Sequence, residues 1–110
     1  MAWHELTQLS ELDSWFERSY KQPVLFFKHS TRCSISAAAL GRMQRGSHQI
    51  PEEVEVVYLD LINHRDISNA LAERTDVVHE SPQLLLVHEG RCIFNASHFD
   101  VRPEAIPVLN

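Results

Sequence analysis

One stretch of this sequence restricts the possible folds more than any other. Residues 24–27, VLFF, form a continuous apolar run, and the polar segment KHSTRCSIS follows at residues 28–36. An apolar run without polar alternation is typical of a central strand that other elements cover on both faces. We therefore expect a buried strand that leads into a polar turn, within a layered α/β structure.

Strand-like and helix-like patterns alternate along the rest of the chain. Strands are expected at 3–6, 24–27, 54–59, 83–87 and 91–94, and helices at 10–20, 37–46 and 67–75. The last two strands are separated by Glu89-Gly90, which indicates a tight hairpin turn. Pro107 interrupts the tail, so any C-terminal helix should be weak or short. The order β-α-β-α-β-α-β-β predicts a thioredoxin-like fold, with a central mixed β-sheet flanked by helices.

Length and charge exclude several classes of protein. A chain of 110 residues is expected to form a single domain, residues 1–110. The net charge of −5 argues against nucleic acid as a partner. No apolar run approaches the roughly 20 residues that cross a bilayer, and the N-terminus does not resemble an export signal. Two cysteines cannot build a disulfide framework, so free thiols and a cytoplasmic location are expected.

Cys33 is the candidate nucleophile. It lies where the buried strand gives way to a helix, so amides of the first helical turn should point at its sulfur and favour the thiolate. Ser34 and Ser36 can add hydroxyl donors, while Arg32 and Lys28 add positive charge. The alternative is a buried structural cysteine, which is common, but a polar turn such as this is a poor core sequence.

The neighbours of Cys33 include a serine where dithiol redox proteins have their second cysteine. Ser36 occupies this fourth position of a Cys-x-x-Cys box, with helix capping as its alternative role. His29 is either an acid or base near the sulfur or a packing residue at the strand end. Cys92 follows the hairpin turn, some 20 Å from Cys33 at about 3.3 Å per strand residue, and should be a packing residue.

Pro82 is the second landmark of the site. In thioredoxin-like folds a cis-proline precedes the strand beside the redox box, and the backbone of the preceding residue binds substrate. Ser81-Pro82 holds that place in the order of elements. A trans-proline at the start of a strand is the alternative, because cis bonds are about 5–6% of X–Pro bonds. The seven histidines show no metal-site spacing with the cysteines, so no metal site is expected.

Three segments together resemble a known family. FFKHSTRCSIS, HESPQLLLVHEG and SHFD, in this order, are similar to the YtxJ-like proteins of the bacillithiol system, the monothiol bacilliredoxins. The similarity runs from about Trp15 to Asp100, and its box begins at Thr31. The chain departs from the family at Ser34, where proline is more usual, and in its Pro-interrupted tail. It also has Phe27 where thioredoxins carry a buried acid.

The resemblance implies a monothiol exchange that removes bacillithiol from protein cysteines. Cys33 would attack the bacillithiol sulfur, and a second bacillithiol or a separate redoxin would resolve the adduct. Bacillithiol would therefore be a co-substrate, with no tightly bound cofactor, and bacillithiolated proteins would be the partners. Arg32 and Lys28 would contact its carboxylates, unless they are simply solvated, and the Ser81 backbone would pair with its peptide-like segment.

Two other functions stay open at this point. Monothiol glutaredoxins carry an iron–sulfur cluster between two subunits with a single cysteine each, although glycine and phenylalanine follow that cysteine where Ser34 and Ile35 stand here. A binding module that kept the fold and lost the redox chemistry is the third hypothesis.

Overall fold

The computed structural model describes residues 3–109, which form a five-stranded sheet with three helices. The strands are β1 (His4–Glu5), β2 (Val24–His29), β3 (Glu55–Asp60), β4 (Gln83–His88) and β5 (Arg91–Ser97). The helices are α1 (Glu11–Arg18), α2 (Ser34–Arg45) and α3 (Arg65–Thr75), with short 3₁₀ turns at Ser47–Gln49, His98–Asp100 and Pro103–Ala105.

The sheet is mixed, with the order β1-β3-β2-β4-β5. β2 pairs in parallel with β3, and β3 pairs in parallel with β1 at one edge. β4 runs antiparallel to β2 and to β5, because the hairpin reverses the chain. The predicted α/β class and the central mixed sheet are confirmed.

β2 is buried at all six positions. The apolar run predicted this for residues 24–27, and the strand continues for two further residues, Lys28 and His29, which were expected in the polar turn. Val24 and Phe26 pack on the face that α1 and α3 cover, whereas Leu25 and Phe27 pack on the face that α2 covers. This alternation is the ordinary consequence of the strand's two-residue period. Lys28 and His29 continue the pattern, so they point to opposite faces of the sheet.

The β4–β5 turn is the predicted hairpin. Glu89 and Gly90 both have positive φ, 52° and 78°, as a type I′ turn requires. Ser19, at the end of α1, accepts two hydrogen bonds from the turn. Its carbonyl accepts the Glu89 N–H at 2.9 Å, and its Oγ accepts the Gly90 N–H at 2.9 Å. The turn is therefore tied to the first helix as well as to the sheet.

The tail packs on α2 without forming a helix of its own within residues 98–109. Arg42 donates from Nε to the Val101 carbonyl and from Nη2 to the His98 carbonyl, each at 3.1 Å. The Val101 side chain is fully buried. Two 3₁₀ turns thus replace the weak helix that the sequence suggested. In residues 3–109 no helix has the length and apolar character needed to cross a membrane.

Candidate active site

Cys33 is the N-cap residue of α2, at the turn that follows β2. Its N–H donates to the Ser30 carbonyl at 3.3 Å, and its carbonyl accepts the Ala37 N–H at 3.0 Å. The residue is half-buried and its thiol is free. Within the described residues no backbone amide of the first helical turn donates to the sulfur. The expected amide–sulfur hydrogen bond is therefore absent from this structure.

Ser36 lies one turn further along α2 and is completely buried. Its Oγ accepts the Ser30 N–H at 2.9 Å and lies 2.8 Å from His29 Nδ1. Because the oxygen already accepts one hydrogen bond, its own proton is available for the histidine. Ser36 therefore joins the end of β2, the turn and α2, and its hydroxyl is directed at His29 rather than at Cys33.

His29 packs at the end of β2 with 4% of its surface exposed. Burial lowers the pKa of His29, while a hydrogen bond with the Ser36 backbone and the charge of Asp60 raise it. A neutral ring that accepts the Ser36 proton at Nδ1 fits this balance. The packing role that the sequence left open is confirmed, and no hydrogen bond joins His29 to Cys33 among residues 3–109.

The exposed side of the turn carries Thr31, Arg32 and Ser34. Arg32 takes part in none of the ion pairs formed within residues 3–109. Its guanidinium stands next to Cys33 in the chain and is open to solvent. It thus stays a candidate for binding a carboxylate, as the sequence suggested.

Lys28 does not belong to this exposed surface. Its side chain is fully buried on the α3 face of the sheet, and Nζ donates to the Ser68 carbonyl at 3.1 Å and to His79 Nδ1 at 3.2 Å. The assignment of Lys28 to substrate binding is therefore wrong, because its ammonium group cannot reach a ligand at the turn. The alternation along β2 already carried this information, since residue 28 shares a face with residues 24 and 26.

The Ser81–Pro82 peptide bond is cis, as predicted. β4 begins one residue later, and Gln83 lies opposite Lys28, so Pro82 is beside the end of the strand that leads to Cys33. Its carbonyl accepts the His98 N–H at 3.0 Å. Ser81 Oγ is buried without a hydrogen-bond partner in the described part of the chain, and the Ser81 backbone makes no hydrogen bond there. The Ser81 backbone is thus free to pair with a ligand.

Two further residues of the site were missed as functional candidates. Gln83 is 1% exposed; its Nε2 donates to the Val78 carbonyl at 3.0 Å, and its Oε1 accepts the Glu80 N–H at 3.4 Å. His79 Nδ1 accepts the hydrogen bond from Lys28 Nζ. Both belong to the HESPQLLLVHEG segment that resembles the bacilliredoxins, in which the sequence analysis gave roles to Ser81 and Pro82 only.

Cys92 lies at the far end of the sheet from Cys33. It pairs with Val87 next to the hairpin turn, whereas the other end of β5 pairs with Gln83. Its Sγ donates to the Phe94 carbonyl at 3.4 Å, and the residue packs against the α1–α3 core. Burial raises the pKa of the Cys92 thiol, with hydrogen bonds to the backbone opposing the effect. The prediction that Cys92 is a packing residue is confirmed.

Known structures share this architecture. A proposed oxidoreductase with a thioredoxin fold superposes with a TM-score of 0.80 and 27% identity, over 93% of this chain and 88% of that chain. Thioredoxin from Trypanosoma brucei brucei superposes with a TM-score of 0.74 and 10% identity, over 91% of this chain and 81% of that chain. Schistosoma mansoni thioredoxin superposes with a TM-score of 0.73 and 14% identity, over 92% of this chain and 90% of that chain. The fold is thioredoxin-like.

The family comparison agrees with the three segments that the sequence analysis singled out. The model of the family described as monothiol bacilliredoxin BrxC matches residues 4–106, which include the Cys33 turn, the cis-proline and the hairpin. Membership in such a family supports a thiol redox function. Since the match covers almost the whole chain, the protein belongs to the monothiol bacilliredoxin BrxC family.

Proposed function

We propose that this protein removes bacillithiol from protein cysteines in the cytoplasm by monothiol exchange at Cys33. The observation that carries the proposal is the pairing of one accessible cysteine at a helix start with a buried serine one turn later. Ser36 fills the place of a second sulfur, and its hydroxyl is engaged by His29 and Ser30. A site of this kind can exchange a mixed disulfide but cannot close a disulfide of its own.

The reaction balances without an added oxidant. The Cys33 thiolate attacks the bacillithiol sulfur of the mixed disulfide; that S–S bond breaks, and the repaired protein leaves as a thiolate that takes a proton. A new S–S bond joins Cys33 to bacillithiol. The thiolate of a second bacillithiol, or of another redoxin, then attacks the adduct and releases Cys33. The free backbone of Ser81 and the exposed Arg32 support binding of the adduct beside the turn.

Intact-mass spectrometry after treatment with oxidised bacillithiol tests the proposal. Wild-type protein should gain one bacillithiol, keep it after the reagent is removed, and lose it when free thiol is added. Cys33→Ser should gain none. Cys92→Ser is the matched control and should behave as wild type, because burial raises the pKa of that thiol and reduces its thiolate fraction.

A second assay follows release of bacillithiol from a bacillithiolated protein, which Cys33→Ser should abolish and Cys92→Ser should leave nearly intact. Loss of activity in both variants, with both folded, would contradict the assignment of a single reactive cysteine. An adduct that wild-type protein sheds without added thiol would contradict the monothiol mechanism. A brown colour in freshly purified protein would favour the iron–sulfur carrier instead.

A further inference from the structure

Lys28 is an unusual residue to find in the interior of this sheet. It is fully buried, and no ion pair formed among residues 3–109 includes it. Its Nζ donates to the Ser68 carbonyl of α3 and to His79 Nδ1. An ammonium group only donates hydrogen bonds, so His79 must present an unprotonated Nδ1 to it. Ser68 Oγ, 3.3 Å from the same nitrogen, can donate as well.

His79 belongs to the segment between α3 and β4, residues 76–82, which we call the His79 loop. The loop leaves α3 through Asp76, which has a φ of 58°, and ends at Pro82 beside the active-site turn. Most of its side chains are exposed or half-buried. At its two ends the loop is held by backbone hydrogen bonds, from the Val77 N–H to the Ala72 carbonyl and from the His98 N–H to the Pro82 carbonyl. Between these ends, within residues 3–109, it is held by side chains alone: Lys28 and Ser68 at His79 Nδ1, and Gln83 at the Val78 carbonyl and the Glu80 amide. Lys28 is therefore one of three side chains that hold the middle of the loop that carries Ser81.

A structural role alone does not account for a lysine at this position. Burial lowers the pKa of Lys28 to about 8, which means that the sheet disfavours its charge at neutral pH. An apolar side chain of similar length would fill the same space without that penalty. Residues that lower stability in this way are typical of functional sites.

We propose that Lys28 is a positioning residue, which acts through His79 to hold the His79 loop, and with it Ser81, in place beside Cys33. We call the Lys28–His79 hydrogen bond the latch. Its role in catalysis rests on the proposed function, whereas its role in holding the loop does not.

The latch has a defined response to acid. Protonation of His79 at Nδ1 removes the acceptor and places two cations side by side. Burial lowers the pKa of His79; Lys28 from β2 and Arg65 from α3 lower it further, while Glu80 in the loop raises it. The latch is therefore closed at neutral pH and opens as the pH falls below the ordinary histidine value of 6.5.

Three substitutions separate the parts of this mechanism. Lys28→Met removes the donor and His79→Leu removes the acceptor. His79→Asn keeps an acceptor close to the position of Nδ1 but does not titrate. Lys21→Met is the matched control, because Lys21 is the other lysine of the chain and is exposed. His48→Asn serves in the same way for an exposed histidine.

Hydrogen exchange tests the loop without any bacillithiol. At about pH 7 Lys28→Met and His79→Leu should lower the protection factors of the loop amides about tenfold, and the two controls should match wild type. Wild-type protection should fall as the pH is lowered below 6.5, whereas that of His79→Asn should not. Circular dichroism and thermal unfolding establish that each variant is folded. Unchanged loop protection in folded Lys28→Met and His79→Leu would overturn the latch.

Release of bacillithiol from a bacillithiolated protein tests the catalytic role. Lys28→Met should lose about tenfold in rate, and His79→Asn should lack the acid limb that wild type shows. A loosened loop with an unchanged rate and pH profile would overturn the positioning role. A wild-type protein without this activity would refute the proposed function, yet loop protection lost in Lys28→Met would still establish the latch.

Discussion

Lys28→Met should make the protein more stable at neutral pH, although it removes two hydrogen bonds. The wild-type ammonium is fully buried, and burial lowers its pKa from the ordinary 10.5 to about 8. One pKa unit corresponds to about 1.4 kcal/mol, so the charge costs about 3 kcal/mol in the folded state. Methionine fills nearly the same space and carries no charge.

The hydrogen bonds offset part of this gain. The Ser68 carbonyl lies inside α3 and keeps its helical partner, and His79 Nδ1 keeps the Ser68 hydroxyl at 3.3 Å. Loss of these two hydrogen bonds should therefore lower the free energy of unfolding by only about 1 kcal/mol, which is at the lower end of the usual range for hydrogen bonds. We expect the free energy of unfolding of Lys28→Met to exceed that of wild type by about 2 kcal/mol at pH 7.

The difference should depend on pH in one direction. Below pH 8 the lysine is protonated in both the folded and the unfolded chain, so wild type carries the whole penalty. Between pH 8 and 10.5 the folded protein releases the proton while the unfolded chain keeps it, and wild-type stability rises with pH. The difference should therefore change by about 3 kcal/mol across this window, from about 2 kcal/mol in favour of Lys28→Met to about 1 kcal/mol in favour of wild type.

Urea unfolding of both proteins, from pH 7 to about pH 10.5 and with reductant present, measures the difference. Ionisation of tyrosines and cysteines affects both proteins equally and cancels in the comparison. Lys21→Met should follow wild type at every pH, since that lysine is exposed. A Lys28→Met protein that is less stable than wild type at pH 7, or a difference that stays constant with pH, would refute the reasoning.

Two further predictions concern the fourth position of the box. Ser36→Ala should lower the free energy of unfolding by about 2–3 kcal/mol in urea titrations, because the buried Ser30 N–H and His29 Nδ1 both lose their partner; a loss below about 0.5 kcal/mol would contradict the network. Ser36→Cys should lose two hydrogens in intact mass under mild oxidation, as a bridge to Cys33 one helical turn away closes; a variant that keeps both thiols would contradict the placement of Ser36 behind the reactive sulfur.

The order of elements was predictable because its signals are local. The apolar run of β2, the Glu89-Gly90 turn and the helical spacing of the three helices each lie within a few residues of sequence. The third helix nevertheless begins at Arg65, two residues before the predicted start, because the first turn of a helix contributes little to the apolar pattern. The tail could not be predicted, since its conformation depends on packing against α2.

The site was predictable in its chain positions and less so in its contacts. Cys33 and the cis-proline are where the pattern and the resemblance put them. The partner of Lys28, however, is 51 residues further along the chain, and nothing near either residue indicates the pairing. The Ser36 hydroxyl could point at His29 or at the Cys33 sulfur, depending on the side-chain rotamer. The rotamer is determined by tertiary packing, which a single sequence does not reveal.

The last two residues of β2 connect both sides of the site to one strand. Lys28 points to the α3 face and holds the His79 loop, while His29 points to the opposite face and holds Ser36 in α2. Burial is the largest cause that lowers the pKa of each, so both are costly residues for a central strand. Ser36 belongs to the helix that begins at Cys33, and the His79 loop leads to Ser81. Two consecutive polar residues thus connect the helix that begins at Cys33 and the loop that carries Ser81 to the same strand end, which is why we expect their replacement to impair the proposed exchange at Cys33 as well as to change stability.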